Sequence, residues 1–253
     1  MEFDLSKIEM SESDLRRGIN LPKYLTTELA EFIGIVIGDG HLNFSIGEQK
    51  NGKPLIRSDI VIACNKKEDD YIKYVSNLHY FLFNIKLSNE PDKRSETVLL
   101  RSHSKGILQF LNKICEIPKN RKTDIVFVSD IIKNADCELK YAFLRGLADT
   151  DFSVIFRFRP VKGHNYPTIK AAFKSKTLVK DLEFLFKELG FKCSAYYDLI
   201  KPDKRFGPTT INHIYIYGRK NFNMWIDNIG FSNPKFIRKI EKWQKDGVCP
   251  HGY

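Results

Sequence analysis

One helix ending occurs twice in this chain, and the duplication limits the possible folds more than any other feature. The first copy runs from Ala30 to Gly40 and the second from Ala142 to Phe152, at a constant offset of 112 residues. Each copy has small residues at positions i, i+4 and i+8 and an aspartate one position later: Ala30, Gly34, Gly38 and Asp39, then Ala142, Gly146, Thr150 and Asp151. Residues four apart are neighbours on one helix face. We therefore expect two closely packed helices that bring Asp39 and Asp151 side by side.

The two segments resemble the two LAGLIDADG motifs of a monomeric homing endonuclease. Segment 32–40, FIGIVIGDG, matches at Gly34, Asp39 and Gly40, and segment 144–152, LRGLADTDF, matches at Leu144, Gly146, Leu147, Asp149 and Asp151. Two positions depart from the motif: Ile37 stands where its first acid usually lies, and Phe152 replaces its last glycine. The lead-in LPKYLT at 21–26 and the run GDGHL at 38–42 are similar to archaeal-type members. The resemblance covers roughly residues 20–245.

The resemblance implies an α+β fold with pseudo-twofold symmetry. Two antiparallel sheets would form a DNA-binding saddle, with the two motif helices packed at the centre. We divide the chain into an N-terminal lead-in (1–25), a first half (26–118), a linker (119–134) and a second half (135–253). The halves are expected to form one compact unit.

Hydrophobic periodicity predicts the same order of elements in both halves: helix, two strands, helix, two strands, helix. In the first half we expect a motif helix from Thr26 or Thr27 to Asp39, strands at 41–48, 56–64, 84–89 and 96–102, and helices at 68–83 and 105–116. A short helix in the lead-in and a helix at 123–134 are also expected, and Asp136 is a candidate N-cap of the second motif helix. Strands at 152–160, 167–174, 191–199 and 209–217 and helices at 177–189, 220–229 and 234–245 complete the prediction.

The charge is distributed unequally and favours a nucleic-acid partner. The net charge of the chain is +10, but residues 1–118 hold 16 basic and 17 acidic residues, whereas residues 119–253 hold 25 and 14. A basic surface attracts phosphates and speeds the encounter with nucleic acid. We expect no secretory signal in the charged N-terminal segment, and the five widely spaced cysteines show no zinc-site or disulfide pattern. We expect a standalone protein without splicing-type termini, located in the cytoplasm and associated with the nucleoid if the source is prokaryotic.

The two aspartates are the candidate metal ligands and catalytic residues. A helix C-terminus carries partial negative charge and disfavours an acid, and two such acids repel each other. Bound Mg²⁺ resolves both problems, because it accepts oxygen ligands, keeps water and bridges to phosphate. The resemblance adds the backbone carbonyls of Gly38 and Thr150 as ligands. It also implies two or three Mg²⁺ ions, with Ca²⁺ binding without supporting cleavage.

Four further residues are candidates for the catalytic site. Lys105 and Lys220 each open a helix after the last strand of a half, where the resemblance places an active-site basic residue. Asn65 and Lys174 end the second strand of each half, where family members carry a side chain that positions metal-bound water. Because the alignment can shift by one or two residues, Lys66 and Lys176 remain alternatives for this second pair.

DNA contacts are expected from one face of each sheet, because a two-stranded ribbon fits the major groove and arginine there can pair with guanine. The candidates are Asn43, Ser45, Arg57, Arg157, Arg159 and Lys170. The resemblance implies a monomeric, site-specific endonuclease that cuts both strands of a long asymmetric DNA site and leaves short 3′ overhangs. Two alternatives of the same fold stay open: an RNA maturase that binds its host intron, and a DNA-binding regulator that does not cleave.

Overall fold

Two motif helices form the centre of the structure, and each is followed by its own sheet. The computed structural model describes residues 2–48, 52, 54–92, 95–159, 164–202 and 207–249. The first half comprises α2 (Thr27–Gly38), β1 (Gly40–Glu48), β2 (Pro54–Asn65), α3 (Asp69–Phe83), β3 (Ser88–Pro91), β4 (Thr97–His103) and α4 (Lys105–Lys113), after a 3₁₀ turn (Leu5–Lys7) and α1 (Glu12–Arg16). A short α5 (Asp130–Lys133) leads to the second half: α6 (Cys137–Asp151), β5 (Phe152–Arg159), β6 (His164–Phe173), α7 (Lys176–Glu188), β7 (Cys193–Lys201), β8 (Thr209–Tyr217), α8 (Arg219–Asn228) and α9 (Pro234–Asp246).

The two sheets have the same topology, which confirms the predicted duplication. Both are four-stranded and antiparallel, with the orders β1-β2-β4-β3 and β5-β6-β8-β7. Alternate residues of the strands other than β3 and β7, such as Leu42, Ile60 and Leu100 in the first sheet, are buried against the helices. The other face of each sheet carries polar side chains such as Arg57 and Arg157, together with aromatic and aliphatic ones.

The motif helices α2 and α6 pack backbone against backbone, as the small residues predict. A Cβ atom on Gly34 would lie 2.2 Å from the carbonyl oxygen of Phe143, and one on Gly146 would lie 2.0 Å from the carbonyl oxygen of Glu31. Both helices begin where the sequence predicts, because the Asp136 side chain accepts a hydrogen bond from the backbone N–H of Leu139 and Thr26 caps α2 in the same way. The backbone contact between α2 and α6 fixes the relative position of their C-terminal ends.

The N-terminal lead-in contains the expected short helix, α1, and packs on the start of α4. The buried carboxylate of Asp14 accepts a hydrogen bond from the backbone N–H of Gly106 at 3.0 Å, and Arg17 donates one to the carbonyl of His103 at 2.5 Å. The lead-in therefore satisfies backbone groups around the β4–α4 junction. No helix in the described part of the chain is long and apolar enough to cross a bilayer.

The helix predicted at 123–134 is wrong, because only Asp130–Lys133 is helical. The backbone of the preceding segment hydrogen-bonds with side chains of α7 and its N-cap. The N–H of Val128 donates to Asp181 at 3.0 Å, and the carbonyl of Val126 accepts from the hydroxyl of Ser175 at 2.5 Å. Because these side chains satisfy its backbone, the segment forms only a turn at 123–125 before α5 begins.

Candidate functional site

Asp39 and Asp151 lie together at the ends of the two motif helices. Asp39 follows the last residue of α2, and Asp151 is the last residue of α6. A Cβ atom on Gly38 would lie 1.9 Å from the hydroxyl of Thr150 and 2.7 Å from a carboxylate oxygen of Asp151. The close packing of α2 on α6 therefore brings together the four residues that were predicted to supply metal ligands.

A lysine that the sequence analysis did not select lies at the same place. The ammonium group of Lys122 donates hydrogen bonds to the carbonyls of Val36, Ile37 and Gly38 at 2.6, 2.5 and 2.7 Å. A positive charge is favourable there because the C-terminal end of a helix carries partial negative charge. Lys122 belongs to a run of basic residues in the linker, and no local pattern distinguishes it from its neighbours.

The ionisable groups of this site perturb one another. Burial, with a smaller contribution from the charge of Glu68, raises the pKa of Asp39 to about 6 against the opposing charges of Lys122 and Lys235. Burial and the charge of Asp39 raise the pKa of Asp151 to about 7, against the opposing charge of Lys122. Burial lowers the pKa of Lys122 to about 8, although Asp151 and Asp39 favour its charged form. The two carboxylates therefore lack full compensation by cationic side chains.

The donor atoms at this site suit a hard divalent cation that keeps much of its water. Within the described ranges no group of three or more His, Cys, Asp or Glu side chains is arranged to hold a metal ion. The protein offers two carboxylates and nearby backbone carbonyls. The Gly38 carbonyl already accepts from Lys122, but a carbonyl oxygen has a second lone pair. Mg²⁺ is commonly bound by one or two carboxylates together with water and substrate phosphate, so these residues fit it.

The predicted lysines at the helix starts have other surroundings. Lys105 opens α4, and its ammonium group pairs with Glu9 of the lead-in at 2.5 Å. Lys220 is the second residue of α8 and lines a surface cleft beside Tyr166 and Tyr217. The lysines whose charges act on the acids are instead Lys122 and Lys235.

The predicted pair at the ends of the second strands is placed as expected along the chain. Asn65 is the last residue of β2, and its side-chain oxygen accepts a hydrogen bond from the N–H of Lys67 at 2.9 Å. Lys174 follows β6 directly and has an exposed side chain. Of the two alternatives, Lys66 donates to backbone carbonyls of the β3–β4 connection, and Lys176 pairs with Asp198.

The outer face of the first sheet carries the three predicted contact residues. Ser45 and Arg57 are exposed cross-strand neighbours on β1 and β2. Asn43 is half-buried and donates to Asp59 at 3.4 Å. Asp59 also pairs with Arg101 at 3.3 Å and with His103 at 2.5 Å. An ionic network therefore occupies the middle of this face.

The outer face of the second sheet carries basic residues and a row of aromatic rings. Arg157 is exposed on β5, and Lys170 on β6 lies opposite Tyr215 of β8. The backbone of Arg159 belongs to β5, but its side chain lies outside the described part. The sequence analysis missed the aromatic row, although alternation along β8 signals it. Its members are Tyr196, His213, Tyr215 and Tyr217, with neighbouring ring centroids 5.3 to 5.8 Å apart.

Comparisons with solved structures show the fold. The crystal structure of I-DmoI in complex with DNA and Ca has a TM-score of 0.56 and 17% identity, and the similarity covers 85% of this chain and 97% of that one. Meganuclease I-SmaMI bound to uncleaveable DNA gives 0.57 and 13%, with 85% and 88% covered. These values confirm the predicted α+β fold of LAGLIDADG homing endonucleases.

Sequence comparisons are weaker and cover only part of each relative. No protein-family model matches the chain. The replication factor C small subunit of Methanocaldococcus jannaschii is 25% identical over 219 residues, which are 87% of this chain and 10% of that protein. A glutamine–fructose-6-phosphate aminotransferase (isomerizing) of the same organism is 21% identical over 224 residues, or 88% and 18%. The chain thus spans less than a fifth of either relative.

Proposed function

We propose that this chain is a site-specific DNA endonuclease that uses a divalent cation, Mg²⁺, to cut both strands of a long asymmetric duplex and leave short 3′ overhangs. The observation that carries the proposal is the meeting of Asp39 and Asp151 at the ends of two helices packed backbone to backbone. The likeness to endonuclease folds solved with DNA supports it. Because one chain supplies both acids, a monomer is sufficient.

Asp39 and Asp151 would hold the metal, together with the carbonyls of Gly38 and Thr150. When bound, Mg²⁺ neutralises phosphate charge and makes water a better nucleophile. Lys122 and Lys235 would take the role that the sequence analysis gave to Lys105 and Lys220, because their charges act on the acids. Lys122 remains mainly charged at neutral pH, since its pKa is about 8, and can stabilise negative charge on a phosphate oxygen.

The remaining sequence candidates keep proposed roles outside this centre. Asn65 and Lys174 would order water at the two scissile phosphates, and Lys105 and Lys220 would contact phosphates further out. Asn43, Ser45 and Arg57 on the first sheet, and Arg157, Arg159 and Lys170 on the second, would contact the DNA grooves. Phosphate contacts position a protein on DNA, whereas contacts with base edges specify the sequence.

The curated relatives support a mobile module. Two proteins with unrelated names each match nearly the whole of this chain but only a small part of themselves. A segment that recurs within such different proteins fits an element that is inherited independently of its host. We therefore include homing, the spread of its own coding sequence into a cut site, in the proposal.

Binding of intron RNA is the second candidate function. Sequence-specific RNA recognition often stacks unpaired bases on aromatic side chains exposed on a sheet. The aromatic row of Tyr196, His213, Tyr215 and Tyr217 lies on such a face beside Lys170. This observation favours a maturase over a DNA-binding regulator as the alternative.

The proposal is tested by incubating the protein with a library of randomised duplexes, with and without Mg²⁺, and sequencing the cut ends. We expect staggered ends at one long sequence that require Mg²⁺ and disappear with Asp39→Asn or Asp151→Asn, while both variants still bind the selected duplex. Unchanged cutting by either variant would contradict the assignment. If the protein binds the RNA of a host intron tightly and cuts no duplex with any divalent metal, the maturase is favoured instead.

A further inference from the structure

Glu68 lies beside the acidic centre but belongs to none of the roles above. It stands between β2 and α3, three residues after Asn65. The carbonyl of Asp39 accepts a hydrogen bond from the N–H of Ala63 at 3.0 Å, so the end of β2 is tied directly to the helix end that carries the acid. Glu68 makes no side-chain capping hydrogen bond to α3. Its carboxylate is therefore available for other partners.

Both side-chain partners of Glu68 come from the second half of the chain. The Asn233 side chain donates to Glu68 Oε2 at 2.7 Å, and the Lys235 ammonium lies 3.2 and 3.4 Å from the two carboxylate oxygens. Asn233 is almost fully buried and is the N-cap of α9, where its side-chain oxygen accepts from the N–H of Lys235 at 3.1 Å. The first side chains of α9 are thus attached to the first half through Glu68, and Ser232 just before them donates to Glu31 at 2.7 Å.

An aspartate of the second motif also binds the segment at the start of α9. Asp149, only 1% exposed, accepts hydrogen bonds from the backbone N–H groups of Ser232 at 3.0 Å and Asn233 at 3.1 Å. α6 therefore fixes the backbone before α9, and Glu68 fixes the first side chains of α9. Together they place Lys235 where its charge acts on Asp39.

The first motif has no carboxylate equivalent to Asp149. Ile37 stands at its position corresponding to Asp149 under the offset of 112. The lysine that reaches the centre there, Lys122, is held by the carbonyls of α2 itself. Lys122 therefore acts on both acids and is held by a helix end, whereas Lys235 acts on Asp39 and is held by a carboxylate of the opposite half.

We propose that Glu68 is a positioning residue that holds Lys235 beside Asp39 and so sets the rate at which one DNA strand is cut. The inference rests on the endonuclease function proposed above. A lysine side chain has many rotamers, and fixing it in advance removes an entropic cost from the step in which it meets the phosphate. Without Glu68 the ammonium group keeps its charge but loses its position, and only the strand served by Asp39 is affected.

The test measures the cutting rate of each strand separately, on a duplex of the selected sequence carrying a different label on each strand. We expect Glu68→Ala to slow one strand at least tenfold and the other less than twofold, with the affinity for DNA unchanged within twofold. Lys235→Met should slow the same strand. The double variant should be no slower on that strand than Lys235→Met, because Glu68 acts through Lys235. Glu68→Gln, which keeps an acceptor, should recover part of the rate.

A matched control removes a different lysine–glutamate pair. Lys140 and Glu188 form an ion pair at 2.7 Å on α6 and α7, and Glu188→Ala should leave both strand rates within twofold of the parent. Equal slowing of both strands by Glu68→Ala would overturn the proposal, and so would unchanged rates. An additive double variant would also overturn it, since Glu68 would then act independently of Lys235.

A second measurement separates failure of this inference from failure of the endonuclease proposal. The rate at which acetic anhydride acetylates each lysine is followed by peptide mass spectrometry in the parent and in Glu68→Ala. Loss of the carboxylate should raise acetylation of Lys235 at least threefold and leave Lys140 unchanged. If the parent cuts no DNA, the endonuclease proposal fails, and unchanged acetylation of Lys235 would still show that Glu68 does not hold it.

Discussion

Replacing Gly34 by alanine tests whether the approach of α2 to α6 builds the acidic centre. The added methyl group would lie 2.2 Å from the carbonyl oxygen of Phe143 and 2.6 Å from the backbone nitrogen of Leu147. Both atoms belong to the backbone of α6, so no side-chain rotation relieves the clash. Ordinary van der Waals contact begins at 3.4 Å, and the helices must separate locally by about 1 Å to reach it.

The expected cost follows from what this separation loses. Nine of the twelve residues of α2 are buried, and a gap of about 0.5 to 1 Å removes a quarter to a half of the dispersion energy of each contact it opens. Overpacking of a well-packed core typically costs about 1 to 3 kcal/mol, and backbone clashes lie at the upper end. Alanine returns up to about 1 kcal/mol through its higher helix propensity. We expect a net loss of about 2 to 3 kcal/mol in the free energy of unfolding.

Gly106→Ala is the matched control. Gly106 is also a buried helical glycine, and its added methyl group would lie 2.2 Å from an atom as well. That atom is the sulfur of Met10, at the end of a flexible side chain that can move. The same substitution should therefore change the free energy of unfolding by less than about 1 kcal/mol.

Urea unfolding followed by circular dichroism gives both free energies, and strand cutting is measured on the same samples. Gly34→Ala should lower the midpoint without changing the dependence on urea concentration, and it should slow cutting of both strands at least tenfold because the acids move apart. If Gly34→Ala were as stable as Gly106→Ala, the close helix contact would not be present in solution, and the placement of the two acids would lose its structural basis.

Three further predictions concern the charges of the site and of the second sheet. In metal-free protein the free energy of unfolding should decrease as the pH rises from about 4 to about 7, which thermal melting at a series of pH values would detect. The folded pKa values of Asp39 and Asp151, about 6 and 7, lie above the ordinary 3.8, so the folded state keeps protons that the unfolded state releases; a flat profile would contradict the raised values. Asp151→Asn should stabilise metal-free protein at pH 8 by about 1 to 3 kcal/mol while abolishing cutting, because it removes a partly buried uncompensated charge, and equal or lower stability would refute this. Replacing Arg157 or Lys170 by alanine should lower the slope of log affinity against log salt by about one if either contacts phosphate, whereas an unchanged slope with altered sequence preference would indicate a base contact.

The fold was largely predictable because its signals are local and repeated. The small residues at Gly34 and Gly146 predict the helix contact, and alternation along the chain predicts the strands. Most predicted and observed element ends agree within a few residues, because capping residues such as Asp136 lie at the helix boundary and can be recognised in the sequence. The wrong helix at 123–134 has the opposite cause: the hydrogen-bond partners of Val126 and Val128 lie about fifty residues away on another element.

The site was predictable only in part, for the same physical reason. Asp39 and Asp151 are placed by the helix pattern that contains them. Lys122 reaches the end of α2 from 84 residues further along the chain, through a linker whose path depends on contacts with the second half. Lys235 depends in turn on Asp149 and Glu68. Side chains that act through such tertiary paths leave no periodic mark, whereas the starts of helices, where Lys105 and Lys220 lie, are conspicuous in a sequence.

The symmetry of the structure ends where the two acids meet. Both halves place an aspartate at a helix end. The contact between α2 and α6, which requires small residues on both sides, brings these two ends together. Around that contact the halves differ: one lysine is held by helix carbonyls and the other by Glu68, and residues 119–253 carry all the excess positive charge. A duplex with two identical half-sites would gain nothing from two unlike protein halves, because the protein half that binds this half-site less well would limit the affinity. An asymmetric duplex, whose two halves can be read by unlike sheets and cut at unlike rates, uses both sides fully, and this is why we expect the two strand rates to be separable by mutation.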